Sequence, residues 1–500
     1  MFKAFVRALV IAIIVAGCTS VSSTPSPSVV ASPSTPLGSA DASPTPASTG
    51  SSAPSRAPLS ARLPIRGSAR EISDHVVLTA PRLGGGLYVL IPARVAPAVL
   101  ALLDSTGQLR PGWPVALAGA TFCERLLPVD DGSVRVICTL ENPDGDMFSP
   151  TGAFAFDSNG RPLAGWPVAL QGFTFMGRVV GDELALLAAG PLGDVIDAGP
   201  PTYEAGLMTV GAAAGALRSG ARVPMDEVWW RAVWALGADG VAYGVAPASA
   251  DPSPQKRVSW ITALDLSGVR PGWPVSFDGF PSGPAFGPDG RIMLTVASSV
   301  ARTSRVVAFD REGQRVAASS AELAIATVDE FTGQTGGCET FAPEPPRVAQ
   351  DGTVFVYSSV RTGVFALDSY LAIMPGWPFE PAAPLARARP GFESEHEAGY
   401  CPGPVLPAVG PDRSLYLALQ ARDATVGGSL VAVGPDGRLR PGWPFRLSQP
   451  GAEFWSVVVG SDGTAYALAI DPEGVNASSA TILAIASDGT VLWSSTIIDR

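Results

Sequence analysis

The chain has 500 residues, of which only 16% are charged, with a formal net charge of −11 and a pI near 4.8. Such acidity excludes nucleic acid as a partner and excludes electrostatic adhesion to anionic lipid. The length suffices for a large core, while 55 glycines and 48 prolines point to many turns rather than long elements.

Lys3 and Arg7 precede the apolar run Ala8–Ala16, which is too short to span a bilayer as a stable helix. Residues 1–17 therefore read as a secretion signal. The string Val15-Ala16-Gly17-Cys18 at its end resembles the bacterial lipobox. That resemblance implies cleavage before Cys18 and lipid attachment to its thiol. The protein would then be extracytoplasmic and held on the cell membrane or the outer membrane; Thr19 does not choose between them. An ordinary signal peptide or an uncleaved anchor is the alternative. Residues 18–61 are dominated by Ser, Pro, Thr, Ala and Gly, a composition that buries no apolar surface and predicts a disordered, extended tether.

Residues 62–500 form a repeat array. Gly-Trp-Pro recurs at Trp113, Trp166, Trp273, Trp377 and Trp443, and DGTVLW ends in Trp493. In four of the five Gly-Trp-Pro copies an Asp stands shortly before the Trp: Asp104, Asp157, Asp265 and Asp368. Two of the Trp-to-Trp intervals are double, which gives units of about 54 residues and eight units in all. Gly206–Val223 and Val306–Val316 supply the two units without the Trp. Seven is the runner-up count, should Gly206–Val223 be an insertion.

Inside a unit, runs such as Val457–Ala469 and Ala285–Thr295 place β-rich segments on either side of Asp-Gly, a dipeptide suited to tight hairpins. About four strands per unit is the size of one propeller blade, and helix is expected to be scarce. The expectation is an all-β, eight-bladed propeller of four-stranded antiparallel blades. Because the chain ends soon after Trp493, Leu63–His75 is expected to supply a missing strand of the last blade.

The units resemble the quinoprotein-like (PQQ-like) β-propeller repeat, in which Ala-x-Asp-x-x-x-Gly precedes a Trp. Ala263–Trp273 and Ala366–Trp377 carry the pattern loosely, and Ala484–Trp493 replaces the Asp. The resemblance implies that Trp113, Trp166, Trp273, Trp377, Trp443 and Trp493 pack between neighbouring blades. The Pro after the Trp departs from that pattern and reads as a strand stop or edge position.

Setting Cys18 aside, Cys123, Cys138, Cys338 and Cys401 remain, an even number that fits an oxidising compartment. Cys123 and Cys138 flank the Asp130-Asp131-Gly132 turn, so one hairpin would bring them together. Cys338 and Cys401 open equivalent stretches of adjacent units and form the other candidate pair. The only histidines are His75 and His396, and no nucleophile, phosphate-loop or dinucleotide motif is present. Glu393, Glu395, His396 and Glu397 read as a solvated acidic loop rather than a metal site. Asn142–Asp146 reads as a hairpin turn, and Trp229, Trp230 and Trp234 as core strand.

No cofactor or metal site is expected. The favoured function is a monomeric, non-enzymatic binding or scaffolding platform for an envelope protein or a glycan. A quinoprotein-type dehydrogenase is the alternative, weakened by the lack of an adjacent-cysteine pair. A propeller-based polysaccharide hydrolase or lyase, which needs paired carboxylates, is another.

Overall fold

The computed structural model describes residues 59–63, 77–91, 97–141, 150–170, 173–191, 203–211, 214–225, 232–247, 258–298, 303–319, 322–323, 344–357, 363–386, 405–421, 425–470 and 479–498. Among these there is no helix. Eight antiparallel sheets follow one another along the chain and make an eight-bladed β-propeller. Blade one runs from Leu78 to Leu117, two from Ala120 to Leu170, three from Phe173 to Met225 and four from Val233 to Asp278. Blade five spans Phe280–Ala318, seven Ala408–Arg446 and eight Glu453–Ile498. Blade six has three strands between Arg347 and Leu367, and a Val364–Phe379 bridge stands at its fourth position.

Both units without a Trp are blades. Gly206–Val223 belongs to blade three, where a hydrogen bond from the Gly215 N–H to the Gly211 carbonyl stands in place of the Asp-Gly turn, and Val306–Val316 belongs to blade five. This removes the seven-bladed alternative.

The hydrophobic core consists of eight clusters, each shared by two successive blades. A sheet that is apolar on both faces must be covered on both, and a ring of blades achieves this without free faces. The six repeat tryptophans sit in these clusters and are no more than 7% exposed. Trp113, Trp377, Trp443 and Trp493 each donate their indole N–H to a carbonyl in the outer turn of the next blade: Ser158, Pro435, Ser487 and Ser105, at 3.4, 3.1, 3.0 and 3.0 Å. The Trp493 bond joins blade eight to blade one and closes the ring.

The glycine before Trp113, Trp166, Trp377 and Trp443 faces the glycine of the neighbouring turn. A Cβ on Gly112 would lie 2.1 Å from the Asn159 carbonyl oxygen, and one on Gly442 1.8 Å from that of Asp488. The Trp-Pro peptide bonds are cis at all five positions. The fourth strand of blades one, two, four and seven begins directly after this Pro. The proline is therefore the residue that precedes a strand, and not a strand stop. An outer strand tolerates the missing donor there.

Blade eight already has four strands of its own. Leu59–Leu63 joins it as a fifth, parallel to the last strand, with Leu59 opposite Trp493 and Leu63 opposite Ile497. This corrects the expectation that Leu63–His75 fills a gap. It also moves the start of the propeller into the last residues assigned to the tether. Cys123 and Cys138 face each other on the first two strands of blade two and form a disulfide; both are buried.

Two outcomes are expected. Gly442→Ala should destabilise by about 3 kcal/mol, combining overpacking with left-handed backbone strain. Gly463→Ala has a similar φ of +81° but open space around its Cβ, and should cost about 1 kcal/mol. Urea unfolding of the two variants compares them; equal losses would remove the seam from the explanation. Deleting Leu59–Leu63 should lower Tm by about 2–4 °C and promote self-association through the uncovered edge. Loss of the whole thermal transition would show instead that blade eight depends on the added strand.

Candidate functional site

In each antiparallel blade the turns joining strands one to two and three to four lie at the same end, so both sets of turns share one face of the propeller. At that face a cavity of about 970 Å³ occupies the axis. Its walls are the innermost strands of several blades, including Arg178, Ala235, Phe286, Val348, Val409 and Val458. An innermost strand has a neighbour on one side only, so a backbone donor on its free side has no ladder to join. Proline suits such an edge, and Pro81, Pro284, Pro288, Pro345, Pro346 and Pro407 all line the cavity. A smaller cavity of about 270 Å³ adjoins it, shares Pro81, Val348, Val409 and Val459 with it, and adds Arg82.

The polar groups are few. Arg178 donates from Nη1 to the Leu236 carbonyl at 3.0 Å, and Arg311 Nε lies 3.8 Å from Asp239 Oδ2. The Nε atoms of Arg82 and Arg347 are buried without a hydrogen-bond partner, as is the Tyr357 hydroxyl. Burial pushes the Tyr357 phenol up, against the opposing effect of Arg347. Burial likewise raises Glu344 to about 7, with Arg347 pulling the other way. On the first strand of blade two, burial raises Glu124 to about 7 despite Arg125.

The turn carboxylates behave in the opposite way. Desolvation works against the charge of Asp351, but hydrogen bonds from Thr353 and Arg413 hold it below the usual range. Asp131 is lowered first by the Ser133 hydroxyl. These acids serve their own turns.

The predicted residues fall in different places. The repeat tryptophans stand at blade seams and the Cys123–Cys138 pair within blade two, and none of them lines the cavity. Trp234 lies buried among Leu187, Leu207 and Leu264, as a core strand requires. Cys18, Cys338, Cys401, His75, Glu393, Glu395, His396 and Glu397 lie outside the described residues, as do Asn142–Asp146, Trp229 and Trp230. Among the described residues no three His, Cys, Asp or Glu side chains come together as metal ligands would.

Sequence reading missed Arg82, Arg178, Arg311, Arg347 and Trp455, the cavity's arginines and its tryptophan. They share no spacing, because Arg178, Arg347 and Trp455 lie on first strands, Arg82 in the turn after one, and Arg311 in a turn between third and fourth strands. The available signal was an arginine in or beside the first strand or the turn of a blade.

The comparisons with known proteins concern the fold. No protein-family model matches the chain, and no curated protein matches it in sequence. Among solved structures it is similar to the β-propeller domain of the Trilobed protease from Pyrococcus furiosus, described as having an open velcro topology. That match has 8% identity and a TM-score of 0.40, and covers 83% of this chain and 97% of the other. It is also similar to a catalytically inactive virginiamycin B lyase from Staphylococcus aureus with quinupristin, at 11% identity and a TM-score of 0.33, covering 61% and 87%. A putative 6-phosphogluconolactonase from Bacteroides uniformis shows 13% identity and a TM-score of 0.38, covering 74% and 97%. At these levels no activity passes from those proteins to this chain, and the assignment of a propeller rests on its own eight sheets.

Proposed function

We propose that the chain is a lipid-anchored extracytoplasmic protein whose propeller is a non-enzymatic binding platform, with the axial cavity as its ligand site. The observation that carries the binding role is the cavity itself. Its volume of about 970 Å³ is at the upper end of small-molecule sites, and its mainly apolar wall with a few fixed polar groups is what such sites use. The anchor rests on the lipobox-like string at Cys18, and the reach above the membrane on the Ser/Pro-rich residues that follow. From the quinoprotein-like resemblance of the Trp repeat we take the blade architecture alone. An envelope protein or a glycan is the alternative occupant of the same face.

Two measurements test this. Wild-type protein should partition into the detergent phase and carry a diacylglyceryl group on Cys18 by mass spectrometry, while Cys18→Ser should be released in soluble form. A Cys18→Ser protein that stays with the membrane contradicts the anchor. A fragment set screened by saturation-transfer NMR should show binders to wild-type protein whose signals fall in Ala285→Trp, where an indole occupies cavity space. Fragments that bind both forms equally would place the site elsewhere.

A further inference from the structure

We infer that the axial cavity takes an organic anion with an apolar body, a carboxylate or phosphate group on a hydrocarbon frame; this rests on the reading of the cavity as a ligand site. The chain as a whole is acidic, at −11, yet the described residues lining the two joined cavities include Arg82, Arg178, Arg311 and Arg347 and no Asp or Glu. The sign of the axis is thus opposite to that of the molecule, and a concave, low-dielectric wall focuses that field.

Two of the four guanidinium groups are incompletely satisfied. Arg82 and Arg347 each bury an Nε–H with no partner, an arrangement that costs free energy unless something accepts those hydrogens. An oxyanion accepts them, because guanidinium presents its donors in a planar fork that matches carboxylate and phosphate. The carboxyl groups nearest this set do not replace such a ligand. Asp239 stands 3.8 Å from Arg311 only, and Glu344, beside Arg347 and Tyr357, leaves Arg347 Nε unbonded.

The remaining wall decides the body of the ligand. Trp455 and Phe286 line the cavity with valines, alanines and prolines, a surface that gains from covering hydrocarbon and not from covering a hydrated ion. A bare inorganic anion would leave that wall unused.

The test uses the full chain and four probes: octanoate, octylammonium, octan-1-ol and acetate, titrated by calorimetry and by tryptophan fluorescence. Octanoate should bind one per chain and perturb a signal that Trp455→Phe removes. Arg347→Gln and Arg82→Gln should each weaken it about tenfold or more. Arg311→Gln, at a half-exposed side chain, should weaken octanoate several-fold with an unchanged melt.

Acetate binding as tightly as octanoate would overturn the apolar body. Octylammonium or octan-1-ol matching octanoate, with the same Trp455 dependence, would sink the anion while leaving the cavity as a ligand site. If no probe of any charge reached Trp455, both the inference and the reading of the cavity would fall. Octanoate binding that ignores Arg82→Gln, Arg311→Gln and Arg347→Gln would likewise overturn the proposal.

Discussion

The blade seams depend on a recurring contact: Trp113, Trp377 and Trp443 each donate an indole N–H across a blade boundary to a turn carbonyl, over two glycines that leave no room for a side chain. The bond is directional, so it fixes the angle between blades as well as their spacing. The glycine pair fixes the distance, since neither partner has a Cβ that could hold the backbones apart. Gly112 faces the turn of Gly160, Gly165 that of Gly215, Gly376 that of Gly437, and Gly442 that of Gly489. At the last seam Trp493 meets Gly107 directly, with its ring where a Cβ would stand. A second lock lies nearer the axis. Tyr88 donates its hydroxyl to the Gly132 carbonyl of blade two at 2.7 Å, and Tyr466 accepts from the Gly86 N–H of blade one at 3.2 Å.

The seam is also where the repeats compensate for one another. Blade five has no Trp, and the outer turn of blade six, which would receive it, carries Leu371 in place of the usual glycine. That leucine is fully buried and keeps φ at 64°, filling the space the indole leaves. A non-glycine residue accepts left-handed backbone here because burial of its side chain offsets the strain. In blade two the aromatic that packs edge-on against the Trp elsewhere, as Tyr88, Tyr243, Phe355 and Tyr416 do, is replaced by Arg135. Its guanidinium carbon lies 5.6 Å from the Trp166 ring, so cation–π attraction takes the place of ring packing. Burial lowers the Arg135 pKa, and Asp131 opposes that shift.

These features show why the fold was legible in the sequence and the site was not. Six of the eight units carry the seam Trp and the other two keep the length of the unit, so spacing gives the blade count, the strand content and the place of the tryptophans. The Cys123–Cys138 pair was legible as a hairpin about its central turn, while the bulge between Cys123 and Arg125 that brings the two cysteines into register was not. The added strand Leu59–Leu63 was less so: it pairs in parallel with residues more than four hundred positions away, and no local signal announces such a partner. The Tyr or Arg facing each Trp was within reach, three residues after the inner-turn position of its blade, but it is split among Tyr, Phe and Arg. The cavity arginines had no period to reveal them.

The innermost strand explains that last difference. Outer strands are fixed by a neighbour's turn, and middle strands by a partner on each side. The inner strand has one free edge, and its residues at the axis meet no repeated neighbour, so they are released from the repeat. The acidity of the chain is then placed where the repeat demands it, in turns whose carboxylates accept backbone N–H groups two residues on, as Asp104, Asp157, Asp310, Asp368 and Asp488 do. Those carboxylates stay with their own turns, and Asp239 of the blade-four inner turn reaches Arg311 at 3.8 Å. The arginines that line the cavity thus owe nothing to the repeat: Arg82 and Arg347 each keep a buried Nε–H without a partner, while Asp239 and Glu344 stand beside Arg311 and Arg347.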